Sequence, residues 1–190
     1  MESNRPRMRE PIVPQLDAEE FLHWEARQRD RYELRHGFVL AFAGGTADHA
    51  TIALNLSVAL RRAFPLPCRV FGSDLKIAIG SNTFYYADAA VTCREIAGTE
   101  TFVSAPLVIC EVLSDSTRRY DAVEKRAAYR TVPSLERLII VDTQIRRLEV
   151  DMCATNGWET SIVESGVVPL GSTHVALADI YVGTSLAELH

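Results

Sequence analysis

The chain has 190 residues, of which 47% are hydrophobic and 24% are charged, as is typical of a globular protein. Its formal net charge of −5 and its pI of about 5.6 argue against a protein that coats nucleic acid through a generally basic surface. No apolar run approaches the roughly 20 residues that span a bilayer, and no signal-peptide core follows the first arginines. We therefore expect a cytoplasmic protein with no membrane contact.

The N-terminal third predicts a tail, a helix, a strand pair and a second helix. Residues 1–14 hold three prolines and five charged residues, which predicts a flexible tail before a single domain at 15–190. A capping box, with Asp17 as N-cap and Glu20 three residues later, predicts a short helix. Two strands follow, joined near 36–37. The second helix precedes Pro65 and carries apolar residues at helical spacing, at Ile52, Leu54, Leu56, Ala59, Leu60 and Ala63.

The remaining chain predicts mainly strands. Residues 68–80 and 83–93 read as paired strands around a turn at Gly80. The apolar segment "PLVICEVLS", 106–114, reads as a strand buried on both faces. A helix is predicted at 116–132, three further strands at 136–143, 146–153 and 158–164, and a helical turn at 177–183. Because strands and helices mix without strict alternation, we expect an α/β or α+β fold with a mixed sheet.

The four cysteines show no metal-binding spacing. They stand at 68, 93, 110 and 153, with no C-x-x-C pair and no histidine at zinc-site spacing. Three of them lie in apolar stretches. The pattern therefore favours small buried residues in a reducing compartment.

Glu111 is a carboxylate inside the most apolar strand of the chain. A charge buried there needs a cation, a proton or a metal ion. Asp88 follows the preceding predicted strand, so adjacent strands could place the two carboxylates side by side. Two close carboxylates favour a divalent cation between them, and oxygen ligands suit Mg²⁺ or Mn²⁺. The alternative, an ion pair of Glu111 with a lysine or arginine that serves structure alone, stays open at this point.

A series of segments in one order resembles the bacterial Uma2 family, a branch of the PD-(D/E)xK restriction-endonuclease-like superfamily. The series, from about residue 17 to residue 182, includes "RYELRHG", "GGTADH", "CRVFGSDLKI", "FYYADAAV", "PLVICEVLSDST", "DAVEKRAAYR" and "PSLERLIIVD". The resemblance implies a restriction-endonuclease-like core, a mixed sheet flanked by helices, and a metal-dependent phosphodiesterase site. Asp88 and Glu111 match the two acids of the motif, and the carbonyl of Val112, just beyond Glu111, is the expected backbone ligand of Mg²⁺ or Mn²⁺.

The lysine of the motif is displaced in this chain. The family position two residues after the second acid holds Leu113, so Lys125 on the following helix is the expected substitute. Lys76, on a strand next to that of Asp88, is the rival for this role. Glu33 resembles the additional N-terminal acid of some superfamily members. His49 opens a helix and could approach a phosphate or a base, although a capping or solvated histidine is the simpler interpretation.

A basic stretch surrounds Lys125 and consists of Arg118, Arg119, Arg126 and Arg130. These side chains could bind DNA phosphates or form a solvated helix face. The leading hypothesis is a homodimeric, Mg²⁺- or Mn²⁺-dependent endonuclease that hydrolyses DNA. The alternatives are a catalytically inactive nucleic-acid-binding or regulatory module that keeps the nuclease fold, and a purely structural protein.

Overall fold

The structure is a computed structural model that describes residues 15–41, 45–114, 118, 120–171 and 173–187. The tail predicted at 1–14 and Arg119 lie outside the described residues. The helical elements are α1 (Ala18–Glu25), α2 (Ala47–Ala63), a π-helical turn (Tyr120–Lys125), α3 (Arg126–Tyr129) and α4 (Leu177–Tyr181). The strands are β1 (Tyr32–Arg35), β2 (Phe38–Ala41), β3 (Arg69–Gly72), β4 (Lys76–Ile79), β5 (Thr83–Tyr86), β6 (Ala89–Thr92), β7 (Phe102–Val103), β8 (Val108–Val112), β9 (Arg137–Val141), β10 (Leu148–Ala154), β11 (Gly157–Val163), β12 (Val167–Leu170) and β13 (Thr173–Ala176).

The described strands form three sheets. One has five strands in the order β2-β1-β5-β4-β7, a second has six in the order β11-β10-β9-β8-β6-β3, and β12 pairs with β13. The pairs β8–β9 and β4–β7 are parallel, whereas the other pairs are antiparallel. The mixed sheets confirm the predicted fold class. The sequence did not predict the two-residue β7, nor the β12–β13 pair, where Pro169 weakens the strand signal.

The two large sheets share one bent hairpin. The sequence predicts a pair of long strands around the turn at Gly80, and β4 and β5 do pair there. Each long strand is interrupted, however, and its outer half, β3 or β6, belongs to the six-stranded sheet. The interruption between β5 and β6 consists of Ala87 and Asp88, so Asp88 lies where the chain passes from one sheet to the other.

Strand β8 is central, as its apolar sequence predicts, because β6 and β9 flank it and all five of its residues are buried. Cys110 and Val112 face the core beneath α2, whereas Ile109 and the following Leu113 face the core beneath α3. Glu111 therefore points to the α3 side by strand alternation.

The first two helices follow the sequence prediction. Asp17 caps α1, and its carboxylate and that of Glu20 complete the capping box. Helix α2 buries Ile52, Leu56, Ala59, Leu60 and Ala63 against the six-stranded sheet, although Leu54 is exposed. The third predicted helix differs in form, because Tyr120–Lys125 form a π-helical turn before α3. No helix in the described ranges is long and apolar enough to cross a membrane.

The prediction that the cysteines are separate small buried residues is wrong for three of the four. Cys68 and Cys93 form a disulfide, and Cys153 is exposed, whereas Cys110 is buried as expected. The β3–β6 register explains the bond, since Arg69 pairs with Thr92 and the two cysteines therefore lie opposite each other just beyond that pair. Sequence spacing alone did not indicate it because 25 residues separate the two positions.

Replacing Cys68 and Cys93 with serine is expected to lower the free energy of unfolding by about 3 kcal/mol, because the bond limits the unfolded chain across a loop of this length. Urea unfolding without reductant measures the difference. The wild-type protein in reductant should reach the stability of the double variant. Equal stabilities of oxidised wild type and double variant would contradict the prediction.

Candidate functional site

Asp88 lies beside β8 at the junction of the two large sheets. Its backbone N–H donates to the carbonyl of Cys110 (3.1 Å), and its Oδ2 accepts a hydrogen bond from the N–H of Val112 (2.7 Å). Because Ala89 pairs with Cys110 in the antiparallel register, Asp88 falls opposite Glu111. The structure thus brings together the two carboxylates that the sequence pairs.

Glu111 is only 3% exposed. Its Oε1 accepts a hydrogen bond from the hydroxyl of Tyr129 (2.5 Å) and lies 3.6 Å from Lys125 Nζ. Burial raises the pKa of Glu111 well above its ordinary value, and this effect and the nearby carboxylates Asp88 and Asp121 outweigh the attraction of Lys125. The strand therefore holds a carboxylate whose negative charge is not fully compensated by its neighbours.

Lys125 is the cation at the centre of this cluster and is 4% exposed. Its Nζ lies 2.8 Å from Glu33 Oε1 and 3.6 Å from both Glu111 Oε1 and Asp121 Oδ1. Burial alone would lower the pKa of Lys125, but the attraction of the three carboxylates outweighs burial and raises the pKa well above its ordinary value. Lys125 is therefore a permanent positive charge.

The π-helical turn brings Asp121 and Lys125 into the site from the described part of the third helix. A π-helical turn is rare and often lies at a functional site. The sequence predicts no role for Asp121 or Tyr129. Their spacing of four residues on either side of Lys125 is the signal that could have placed them on the same helix face as this lysine.

Glu33 projects from β1 into the same cluster. Its Oε1 accepts hydrogen bonds from the backbone N–H of Tyr86 (2.9 Å) and faces Lys125. Burial raises the pKa of Glu33, although Lys125 and the Tyr86 N–H oppose this effect. The additional acid indicated by the sequence is thus in the cluster, and Tyr86, a residue that sequence reasoning missed, fixes its orientation.

His49 reaches the site from the first turn of α2. Its Nε2 lies 3.5 Å from Asp88 Oδ1. The nearby carboxylate of Asp88 raises the pKa of His49, burial opposes this rise, and the Val112 carbonyl adds to it. His49 therefore faces two of the groups that the sequence indicates as metal ligands, and it is not the solvated histidine of the simpler interpretation.

Gly45 makes room for the His49 ring. A Cβ at position 45 would lie 2.6 Å from Cγ and Nδ1 of His49, so alanine should push the imidazole away from Asp88. We expect the pKa of His49, measured by NMR of the imidazole protons, to fall toward 6.5 in Gly45→Ala. Since the wild-type pKa is raised, the stabilising charge of His49 is fully present below pH 6.5 and is lost as pH rises through the folded-state pKa.

Gly98→Ala is the matched control for this variant, because a Cβ at position 98 would meet nothing within 4 Å. The pKa of His49 should be unchanged in the control. An equal pKa in wild type and Gly45→Ala would contradict the expected displacement.

Lys76, the rival for the lysine role, lies outside the cluster. Its Nζ contacts Glu25 Oε2 (2.6 Å) and receives no contact from Asp88 or Glu111 among the contacts of the described residues. The structure therefore brings Lys125, and not Lys76, to Glu111.

The basic stretch around Lys125 is engaged within the protein. Arg126 and Arg130 both bind the fully buried Asp151, and Arg118 binds Asp142. The ion pairs of Arg126 and Arg130 with Asp151 join α3 and its C-cap residue to β10. Binding of DNA phosphates by Arg118, Arg126 and Arg130 stays a prediction, and a phosphate would compete with these ion pairs.

The charges of the cluster suit a hard divalent cation. Three carboxylates, from Glu33, Glu111 and Asp121, face the ammonium of Lys125 in a largely buried space, and the carboxylate of Asp88 acts on Glu111 from nearby. Within the described ranges, no three histidine, cysteine or acidic side chains are already arranged as metal ligands. The excess of negative charge and the oxygen donors nevertheless fit Mg²⁺ or Mn²⁺, which binds few carboxylates and retains several waters.

Comparisons with known proteins agree on the family. The model of the Uma2 family, described as "Putative restriction endonuclease", matches residues 18–177. Two uncharacterized proteins of Synechocystis sp. (strain ATCC 27184 / PCC 6803 / Kazusa), slr1290 and sll1609, are 35% and 32% identical to the chain. The first alignment covers 75% of this chain and 76% of the relative, and the second covers 70% and 78%.

A solved structure shares the fold. It is described as a "putative nuclease belonging to DUF820" from Anabaena variabilis ATCC 29413, and it superposes with a TM-score of 0.72 at 17% identity. The likeness covers 87% of this chain and 97% of that one. The fold is thus restriction-endonuclease-like, with mixed sheets flanked by helices, and the chain belongs to the Uma2 family.

Proposed function

We propose that the protein is a Mg²⁺- or Mn²⁺-dependent endonuclease that hydrolyses phosphodiester bonds of DNA. The observation that supports the proposal is that Asp88 lies opposite the buried Glu111, whose Oε1 is 3.6 Å from Lys125 Nζ, at the junction of the two large sheets. The description of the Uma2 family supports the same class of reaction.

Asp88, Glu111 and the carbonyl of Val112 are the groups that would hold the metal ion. When bound, the ion would supply a water of lowered pKa and neutralise negative charge that develops on the phosphate. His49 lies 3.5 Å from Asp88 and Lys125 lies 3.6 Å from Glu111, so both side chains would compete with a metal ion for these carboxylate oxygens.

Lys125 has the charge and the position for the remaining task. Its Nζ stays protonated, and it would stabilise the anionic phosphate or orient the attacking water. Glu33 Oε1 lies 2.8 Å from this ammonium, and the ion pair keeps the Lys125 side chain in the site. Because Glu111 and Lys125 are nearly excluded from water, their charges act in a weakly screening environment.

One observation favours a second candidate function, that of a catalytically inactive nucleic-acid-binding or regulatory module with this fold. Leu113 occupies the usual lysine position and is buried in the apolar core under α3. If Lys125 serves only as a counter-ion for Glu33, Glu111 and Asp121, the cluster stabilises the fold and the protein hydrolyses no DNA.

Metal titration and DNA cleavage together separate the two candidates. We expect calorimetry to detect Mn²⁺ or Mg²⁺ binding at millimolar concentration or below, and plasmid DNA to be cut only when the ion is present. Asp88→Ala is the control and should lose both signals. Failure of the wild-type protein to bind either ion would contradict the enzyme proposal.

We propose further that the active form is a homodimer, because one such site cuts one strand of a duplex. Light scattering with and without DNA tests the oligomeric state.

We also propose a cytoplasmic location, in which the disulfide between Cys68 and Cys93 would be unusual. Alkylation of thiols in intact cells before purification would reveal the redox state of this pair.

A further inference from the structure

A second buried polar cluster lies next to the site. Lys76 Nζ contacts Glu25 Oε2 at 2.6 Å and the hydroxyl of Tyr86 at 3.3 Å. The Tyr86 hydroxyl in turn donates to Glu25 Oε1 at 2.8 Å. Burial and the neighbouring Glu25 raise the pKa of Tyr86, so its hydroxyl remains a hydrogen-bond donor. The three side chains satisfy one another, which argues for a structural task and against a ligand site.

Tyr86 connects this cluster with the candidate site through its backbone. Its N–H donates to Glu33 Oε1 at 2.9 Å, and its carbonyl accepts from Lys125 Nζ at 3.3 Å. Two side chains of the site thus bind the polar groups of one residue. A displacement of this residue would move both Glu33 and Lys125.

The position of Tyr86 in the sheet explains why it needs a side-chain anchor. It is the last residue of β5, before the chain crosses to the six-stranded sheet at Ala87 and Asp88. Its register partner on β4 is Lys76. In an antiparallel pair whose backbone groups point away from the partner strand, the opposed side chains lie close together. The contact of Lys76 with the Tyr86 hydroxyl therefore holds the strand end.

From this geometry we infer that Glu25, Lys76 and Tyr86 are positioning residues, which fix the Tyr86 backbone so that Glu33 and Lys125 are held in the orientation that cleavage needs. The inference rests on the proposed nuclease function for its catalytic consequence. It also gives Lys76 a task that differs from the one suggested by the sequence.

Tyr86→Phe tests the inference with the smallest change. It removes the hydroxyl and keeps the ring and the Glu25–Lys76 ion pair. We expect the amide of residue 86 to exchange with solvent at least about tenfold faster, relative to the amide of Phe84, in residue-resolved hydrogen-exchange NMR. We also expect kcat for DNA cleavage to fall about tenfold at unchanged KM, which is the size of effect expected when a hydrogen-bond partner that orients side chains of a site is removed.

Tyr181→Phe is the matched control. Tyr181 is also buried, and its hydroxyl donates to the carbonyl of Asp142 at 2.7 Å in a different core. The control should lose stability through the same chemical change, yet keep both kcat and the exchange rate of the residue 86 amide. A merely structural role for the Tyr86 hydroxyl would make the two variants alike.

A second variant removes the ion pair, since Glu25→Met with Lys76→Met takes away both charges and retains apolar volume. It should reproduce the faster amide exchange and the lower kcat. An unchanged exchange rate at residue 86 in both variants, or faster exchange with wild-type kcat, would overturn the inference. If the wild-type protein cuts no DNA, the proposed function fails, and the exchange rates still decide whether these residues fix the Tyr86 backbone.

Discussion

Glu111→Gln is expected to lower kcat for metal-dependent DNA cleavage by about 10³-fold, because the amide is a poor ligand for the ion whose charge stabilisation is worth several kcal/mol. The fold should persist, since the amide is isosteric and its oxygen can still accept the hydrogen bond from Tyr129. Single-turnover cleavage measures the rate, and calorimetry should show weakened binding of Mn²⁺.

The pH dependence of stability follows from the raised pKa of Glu111. The folded protein binds the proton of this group more readily than the unfolded chain does, so the free energy of unfolding falls as pH rises above 4.5 toward the folded-state pKa. Glutamine cannot ionise. The metal-free Glu111→Gln protein should therefore lose less stability than wild type between pH 4.5 and pH 8.

Glu149→Gln is the control for this substitution, because Glu149, on β10, pairs with Arg126 and Arg147 and with none of the proposed metal ligands among the described contacts. It should leave cleavage and metal affinity unchanged. If Glu111→Gln instead loses several kcal/mol of stability and keeps its metal affinity, Glu111 is the structural ion-pair partner of Lys125.

The pairing of Asp88 with Glu111 could be predicted from the sequence because strand alternation and strand adjacency are local properties. The buried apolar run placed Glu111 on a central strand, and the β6–β8 register then placed Asp88 opposite it. The choice between Lys76 and Lys125 could not be made in this way. It depends on which face of the five-stranded sheet each lysine reaches, and that face is set by packing between distant segments.

Other features depend on tertiary structure in the same way. His49 approaches Asp88 because the N-terminus of α2 lies over the junction of the two large sheets. The absence of a side chain at Gly45 leaves room for the His49 ring. The bond of Cys68 with Cys93 needs the bent hairpin. The spacing of four residues is consistent with Asp121 and Lys125 sharing a helix face, yet it does not indicate the π-helical turn that brings both into the cluster.

Lys125→Met is expected to have the largest effect on stability, about 3–5 kcal/mol in the free energy of unfolding at pH 8 without metal ions. The substitution keeps the apolar length of the side chain and removes the cation that faces Glu33, Glu111 and Asp121. Urea unfolding should show part of the loss recovered toward pH 5, because Glu33 and Glu111, whose pKa values are already raised, then become protonated.

Lys76→Met is the matched control, because it also removes a buried ammonium but leaves only Glu25 without its cation. Cleavage should fall at least about 100-fold in Lys125→Met, through loss of charge stabilisation at the phosphate. It should fall at most about tenfold in Lys76→Met, whose effect passes through Tyr86. The reverse order of the two activities would assign the catalytic role to Lys76. Equal stability losses that do not change with pH would mean that Lys125 does not compensate the buried carboxylates.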